Sequence, residues 1–139
     1  MSQRPNALNG MRHIALEVPN LEECERFYVD LLGMKVLRRA HENLVYLTFG
    51  NDNLSLARSR DGALPEGQQA LDHFGFICDR REDVDAWHAY LSAQGVTVRS
   101  EPHDHGDGGR SFYCLDPAGN SVQPLYHPSI SGQTFSMPE

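Results

Sequence analysis

The sequence predicts an α+β fold of two β-α-β-β-β units, and three features point there. An alternating run, His13-Ile-Ala-Leu-Glu-Val18, has a counterpart in His73-Phe-Gly-Phe-Ile-Cys78. Each run is followed by a stretch with apolar residues at three- and four-residue spacing, closed by Gly33 in one case and Gly95 in the other. Each of these stretches then gives way to short strand-like runs separated by turn residues. A duplicated unit makes a symmetric body with one site between its halves. The expected architecture is a curved mixed sheet around a central cleft, with a histidine opening each half.

In the first unit, residues 12–18 alternate with period two. Ile14, Leu16 and Val18 take one face and His13, Ala15 and Glu17 the other. Pro19-Asn20 ends the strand, with Asn20 the expected N-cap of a helix over 21–32. Leu21, Cys24, Phe27-Tyr28 and Leu31-Leu32 form its apolar face, and Gly33 is its C-cap. Strands follow at 34–39, 43–49 and 53–58, with turns at His41-Glu42 and Gly50-Asn51-Asp52.

The second unit repeats the plan. A strand at 71–78 leads to a helix over about 81–93, whose apolar face is Val84, Trp87, Tyr90 and Leu91. Strands at 96–101, 110–115 and 121–126 complete it. The stretch 101–109, rich in glycine and carrying His103 and His105, reads as a flexible loop. The chain therefore divides into a flexible lead (1–10), the first unit (11–58), a polar linker (59–70), the second unit (71–127) and a C-terminal tail (128–139). Each unit covers only one face of its sheet with a helix, so the other face is left for a partner or a ligand. Ala15 and Gly75, beside the two histidines on that face, either leave room for a ligand or allow close packing of two backbones.

Composition narrows the function. The 139 residues, 40% hydrophobic and 22% charged, suit one domain or two half-domains sharing a core. A net charge of −7 without a basic block argues against nucleic acid as a partner. No apolar run approaches the ~18–20 residues of a membrane span, and the polar N-terminus lacks the apolar stretch of a signal peptide. Cys24, Cys78 and Cys114 are widely spaced and read as free thiols in a reducing cytoplasm.

Four separated motifs resemble the vicinal oxygen chelate superfamily, which includes glyoxalase I, extradiol dioxygenases, fosfomycin-resistance enzymes, methylmalonyl-CoA epimerase and bleomycin-resistance proteins. They are His13-Ile-Ala-Leu-Glu-Val18, Phe27-Tyr28 before Leu31-Leu32-Gly33-Met34, Asp72-His73-Phe-Gly-Phe76, and Asp116-Pro-Ala-Gly-Asn-Ser-Val-Gln123. The resemblance covers residues 11–127. It implies a glyoxalase-like paired βαβββ fold with a divalent metal (Zn, Fe, Ni, Co or Mn) in the cleft. His13 and His73 fall on its two first-strand ligand positions. Gln123 stands where the family pattern reads Glu, and Ser55 falls on the remaining ligand position, near the end of the first half.

Two imidazoles suit such ions, and a glutamine can supply a carbonyl oxygen. A neutral His-His-Gln set leaves the charge of the ion uncompensated, which favours an anionic substrate. Glutamine is also a far poorer base than glutamate, so no catalytic base is identified. Glu17 shares the His13 face ~13 Å along the strand and is a candidate to line the cleft and bind substrate, with a solvated surface charge as the alternative. Arg110 is a candidate for holding a substrate carboxylate or phosphate, with a plain surface arginine as the alternative. His103 and His105 are either a ligand pair or proton shuttle, or part of a polar surface loop. Two functions remain open: a metal-dependent lyase, isomerase or dioxygenase acting on a small oxygen-chelating molecule, or a metal-free protein that sequesters a small ligand in the manner of bleomycin-resistance proteins. Open sheet edges predict a homodimer.

Overall fold

Alternation sorts the first strand as expected, with Leu16 and Val18 buried and His13, Ala15 and Glu17 exposed. The structure, a computed structural model, describes residues 11–60, 71 and 73–133. The expected lead (1–10), most of the linker (61–70), Asp72 and the end of the tail (134–139) lie outside the described residues. The fold is the α+β class predicted. Strands β1 (His13–Val18), β2 (Lys35–His41), β3 (Leu44–Thr48) and β4 (Asn53–Arg58) form a four-stranded sheet in the order β1-β4-β3-β2. Strand β1 runs parallel to β4 and the other pairs are antiparallel.

The second sheet repeats this order with shorter pieces. It holds β5 (Phe74–Ile77), β6 (His103–Asp104), β7 (Arg110–Ser111), β8 (Cys114–Leu115) and β9 (Ser121–Tyr126), ordered β5-β9-β7-β6 with β8 also on β9. Strand β5 runs parallel to β9, as β1 does to β4. The two units therefore share one topology. Each unit contributes one sheet, and both carry the mixed parallel and antiparallel pairing expected.

Several boundaries differ from expectation for local reasons. The first helix is α-helical over α1 (Leu21–Arg26) and continues as a π-helical turn over Phe27–Leu31. It ends at Gly33, whose φ of +92° only glycine adopts easily, with the Met34 N–H bonded to the Tyr28 carbonyl. Asn20 does not cap this helix through its side chain; its Nδ2 donates instead to the Pro117 carbonyl of the second unit at 2.9 Å. Helix α2 (Arg81–Ala93) matches its predicted bounds. The strand expected at 96–101 is reduced to a bridge between Val98 and Cys114. The strand expected at 110–115 is interrupted between Ser111 and Cys114.

One hydrophobic core serves both units. Leu16, Val18, Val45, Leu47, Leu54 and Leu56 of the first sheet, Phe27 and Tyr28 of the first helix, and Val84, Leu91, Phe112 and Val122 of the second unit belong to it. The joint between the units is aromatic and then polar. Tyr28, fully buried, lies 6.3 Å from Phe74 and 6.1 Å from Phe76 between ring centroids, and Phe49 meets Phe76 at 5.6 Å. The Tyr28 hydroxyl donates to Asp116 Oδ2 at 2.7 Å. Burial beside the Asp116 charge pushes the Tyr28 phenol far above its usual range, so it stays a donor. Asp116 also accepts the Ala118 and Asn120 backbone N–H groups and the Asn120 side chain, which folds the Asp116-Pro-Ala-Gly-Asn120 turn around it.

The 101–109 stretch is fastened where the sequence reads it as flexible. Strand β6 pairs with β7, and Asp104 binds both Arg81 and Arg110. Arg81 also donates to the Gly108 carbonyl. The Arg110 hydrogen bonds, with Arg81 assisting at Asp104, hold the Asp85 and Asp104 carboxyls below the usual carboxylate range.

Two outcomes test this account. Tyr28→Phe keeps the rings but leaves Asp116 one donor short, so urea unfolding should lose about 1.5–3 kcal/mol, the worth of a hydrogen bond to a charged group; an unchanged midpoint contradicts it. The depressed Asp85 and Asp104 pKa values place their stabilising contribution above the unfolded carboxylate pKa of about 4. It fades as pH falls through the lower folded values. Amide protection across 103–110, taken relative to the intrinsic exchange rate at each pH, should therefore fall below about pH 4 before global unfolding, and Arg110→Ala should produce the same local loss at neutral pH.

Candidate metal centre and cleft

The two histidines occupy equivalent places. His13 pairs with Asn53, and Ala15 with Ser55; Gly75 pairs with Gln123, and Phe74 with Val122. The match makes Ser55 and Gln123 counterparts, each across its sheet from the residue two places after a histidine. Tyr46 pairs with Ser55, and Tyr113 contacts Gln123 in the second unit. Alternation turns His13, His73, Ser55 and Gln123 to the sheet faces opposite the shared core.

His13 Nδ1 lies 2.7 Å from Asn53 Oδ1. An amide oxygen only accepts, so Nδ1 is the donor, which in the neutral imidazole leaves Nε2 as the lone-pair nitrogen. A second-layer acceptor of this kind is the usual support of a metal-binding imidazole. His73 is exposed and stands edge-on to Tyr113 at 5.2 Å between ring centroids.

Gln123 is buried, and its Nε2 donates to Ser111 Oγ at 2.9 Å and to Tyr113 Oη at 3.3 Å. Ser111 Oγ lies in turn 2.6 Å from His105 Nε2. His103 stacks on Tyr113 and meets His105 edge-on at 4.8 Å. With the Gln123 nitrogen occupied, its carbonyl oxygen is the end available to a ligand. Ser111 and His105 were not selected from sequence as partners of Gln123. Their meeting depends on the pairing of β6 with β7, and the sequence reads the β6 stretch as a loop.

A cleft of about 680 Å³ opens at the edge strands β1 and β5, with His13 and His73 both on its wall beside Asn53, Phe49, Phe74 and Trp87. Gln123, Ser55, Glu17 and Arg110 lie off that wall. Gln123 adjoins it through Gly75. A Cβ at residue 75 would come within 2.6 Å of the Gln123 backbone carbonyl oxygen, so close approach of the two strands requires glycine at this position on the cleft wall. Glu17 is exposed on the His13 face, and Ser55 is buried between Ala15 and Tyr46. Arg110 differs from its expected anion-binding role: its guanidinium bonds Asp85 at 2.8 and 3.0 Å and Asp104 at 2.9 Å, on the side of α2. It holds β6 and β7 to that helix.

Among the described residues no group of three His, Cys, Asp or Glu side chains converges to hold a metal. The candidate donors are two imidazoles and one amide oxygen, a neutral set that fits a borderline divalent ion. The three cysteines offer no alternative. All are buried, and desolvation pushes the Cys24 and Cys114 thiols up to about 12 and Cys78 up to about 11, away from the thiolate a metal or a nucleophile requires.

Known proteins share the sequence and the fold. An uncharacterised protein of Pseudomonas aeruginosa is 30% identical over 139 residues, covering 92% of this chain and 96% of its own length. A manganese-dependent 2,3-dihydroxybiphenyl 1,2-dioxygenase of Geobacillus genomosp. 3 is 28% identical over 82% of this chain, which spans only 35% of that enzyme. The crystal structure of a lactoylglutathione lyase from Agrobacterium tumefaciens superposes with a TM-score of 0.71 at 27% identity, covering 94% of this chain and 100% of the other. The sequence profile of one family matches residues 10–123, and the chain belongs to it: the Glyoxalase/Bleomycin resistance protein/Dioxygenase superfamily.

Proposed function

We propose that this protein is a divalent-metal-dependent enzyme of the glyoxalase/dioxygenase type, acting on a small substrate that chelates the ion through neighbouring oxygens. The observation that carries the reading is the His13–Asn53 hydrogen bond, which leaves Nε2 of His13 bare on the cleft that His73 also lines. His13 Nε2, the His73 imidazole and Gln123 Oε1 would hold the ion, drawn from Zn, Fe, Ni, Co or Mn. Such an ion supplies Lewis acidity to an oxyanion developing on the substrate. The protein's part is to orient the donors, and their neutrality favours an anionic oxygen ligand. Gln123 cannot take up a proton, so proton transfer falls to other groups facing the site. Glu17 on the His13 face is the acidic candidate, and Ser55 would line the same face.

Each unit presents its own donor-bearing face, and β1 and β5 are edge strands. Both features support a homodimer in which the faces of two copies meet. The buried, unpaired thiols accord with a reducing cytoplasm.

A second reading, a metal-free binding protein, draws on the apolar side of the same cleft, where Phe49, Phe74, Phe76 and Trp87 supply aromatic wall, and on the missing carboxylate at residue 123. Chelation separates the two. Protein purified without chelator should carry a stoichiometric transition metal, lose it on His13→Ala or His73→Ala, and melt at lower temperature with EDTA. Gln123→Glu, which restores a charge-compensating donor, should retain metal more tightly. Absence of metal together with a melting temperature indifferent to EDTA would establish the binder instead.

A further inference from the structure

We infer that Ser111 and His105 are positioning residues that fix which end of the Gln123 amide faces the site; the inference rests on the reading of Gln123 as an oxygen ligand. A glutamine side chain presents oxygen or nitrogen according to what holds its other end. Ser111 is fully buried, so its hydroxyl proton needs an acceptor inside the protein. His105 Nε2 lies 2.6 Å away and serves as that acceptor in the tautomer that carries its proton on Nδ1. A hydroxyl that gives its proton to His105 meets Gln123 with lone pairs alone, and only an amide N–H can satisfy them, at 2.9 Å. The chain of donors runs from Gln123 Nε2–H to Ser111 Oγ–H to His105 Nε2, and Oε1 is the end left outward. In the reverse order His105 donates, Ser111 donates to Oε1, and the site receives an NH₂ group that cannot bind a cation.

The surroundings hold His105 against Ser111. His103 pairs with Ser111 across β6 and β7. Asp104, on the opposite face of β6, is gripped by Arg81 and Arg110, and the His105 N–H bonds the Gly109 carbonyl. The stretch that looks like a mobile loop is a brace that delivers an imidazole nitrogen to a buried serine. A glutamate at residue 123 would not need it, because its two oxygens are equivalent. The brace is therefore tied to the substitution that sets this chain apart from its family pattern.

Titration with Co²⁺ alone, followed by visible absorption, tests the inference. Ser111→Ala and His105→Ala should weaken Co²⁺ binding roughly 10- to 100-fold, the usual effect of losing a support behind a ligand, and should alter the absorption bands. His105→Gln, whose amide oxygen can take the Ser111 proton, should restore both. In a Gln123→Glu background Ser111→Ala should have little effect, because a carboxylate has no wrong end. The inference is overturned if Ser111→Ala and His105→Ala leave Co²⁺ affinity and spectrum unchanged, or if the loss is equally large with glutamate at residue 123, the mark of a merely structural role. A wild-type chain that takes up no Co²⁺ overturns the ligand reading of Gln123 as well, which separates the two failures.

Discussion

The hydrogen bond from the Tyr28 hydroxyl to Asp116 is the joint on which the molecule depends. It is buried, short and charge-assisted, and it ties the helix of the first unit to the turn that leads into the last strand of the second. Around it Tyr28, Phe74, Phe76 and Phe49 form the apolar contact between the units. Asp116 is already folding its own turn through Ala118 and Asn120. One carboxylate thus shapes the second unit locally and fixes its place against the first. The relation of β1 to β5, and so of His13 to His73, follows from that contact. Two motifs that look independent in the sequence, Phe27-Tyr28 and Asp116-Pro-Ala-Gly-Asn120, are the two sides of one bond.

The candidate donors lie on the outward faces of the sheets, and the cleft opens at their edges, where aromatic residues packed against the core also line it. Each outward face carries a histidine on its edge and a partner across the neighbouring strand: Ser55 in one unit, Gln123 in the other. The asymmetry lies in the support given to each. Asn53 steers His13 in the first unit, whereas Gln123 is held in the second by two hydroxyls and, behind them, an imidazole. A neutral donor set lacks the charge compensation of a carboxylate, so orientation must do more of the work of making the site selective.

Much of the fold was legible because period-two and helical spacing are local signals. They located β1, β3, β4, β9 and α2 closely and paired His13 with His73. What escaped was decided by partners distant in sequence. The Asn20 side chain bonds Pro117 of the other unit and the Glu23 side chain, and caps no backbone N–H of its helix. Residues 96–101 have strand character, but only Val98 finds a bridge. The glycine-rich 101–109 stretch is ordered by Arg81 on α2 and by Arg110, neither of which its own composition announces. Arg110 looked like a substrate anchor because an arginine on a strand invites that role; two aspartates claim it. At the site, the two histidines could be read from the repeat. The Ser111–His105 support could not, since its meaning appears only when β6 lies beside β7.

The central claim is that His13, His73 and Gln123 ligate one divalent ion. Crystals of protein loaded with Co²⁺, measured across the cobalt absorption edge, test it directly. The account predicts one anomalous peak within bonding distance of both imidazoles and the Gln123 oxygen, whether these come from one chain or from two. A peak held by other residues, or none in the cleft of fully loaded protein, would contradict it.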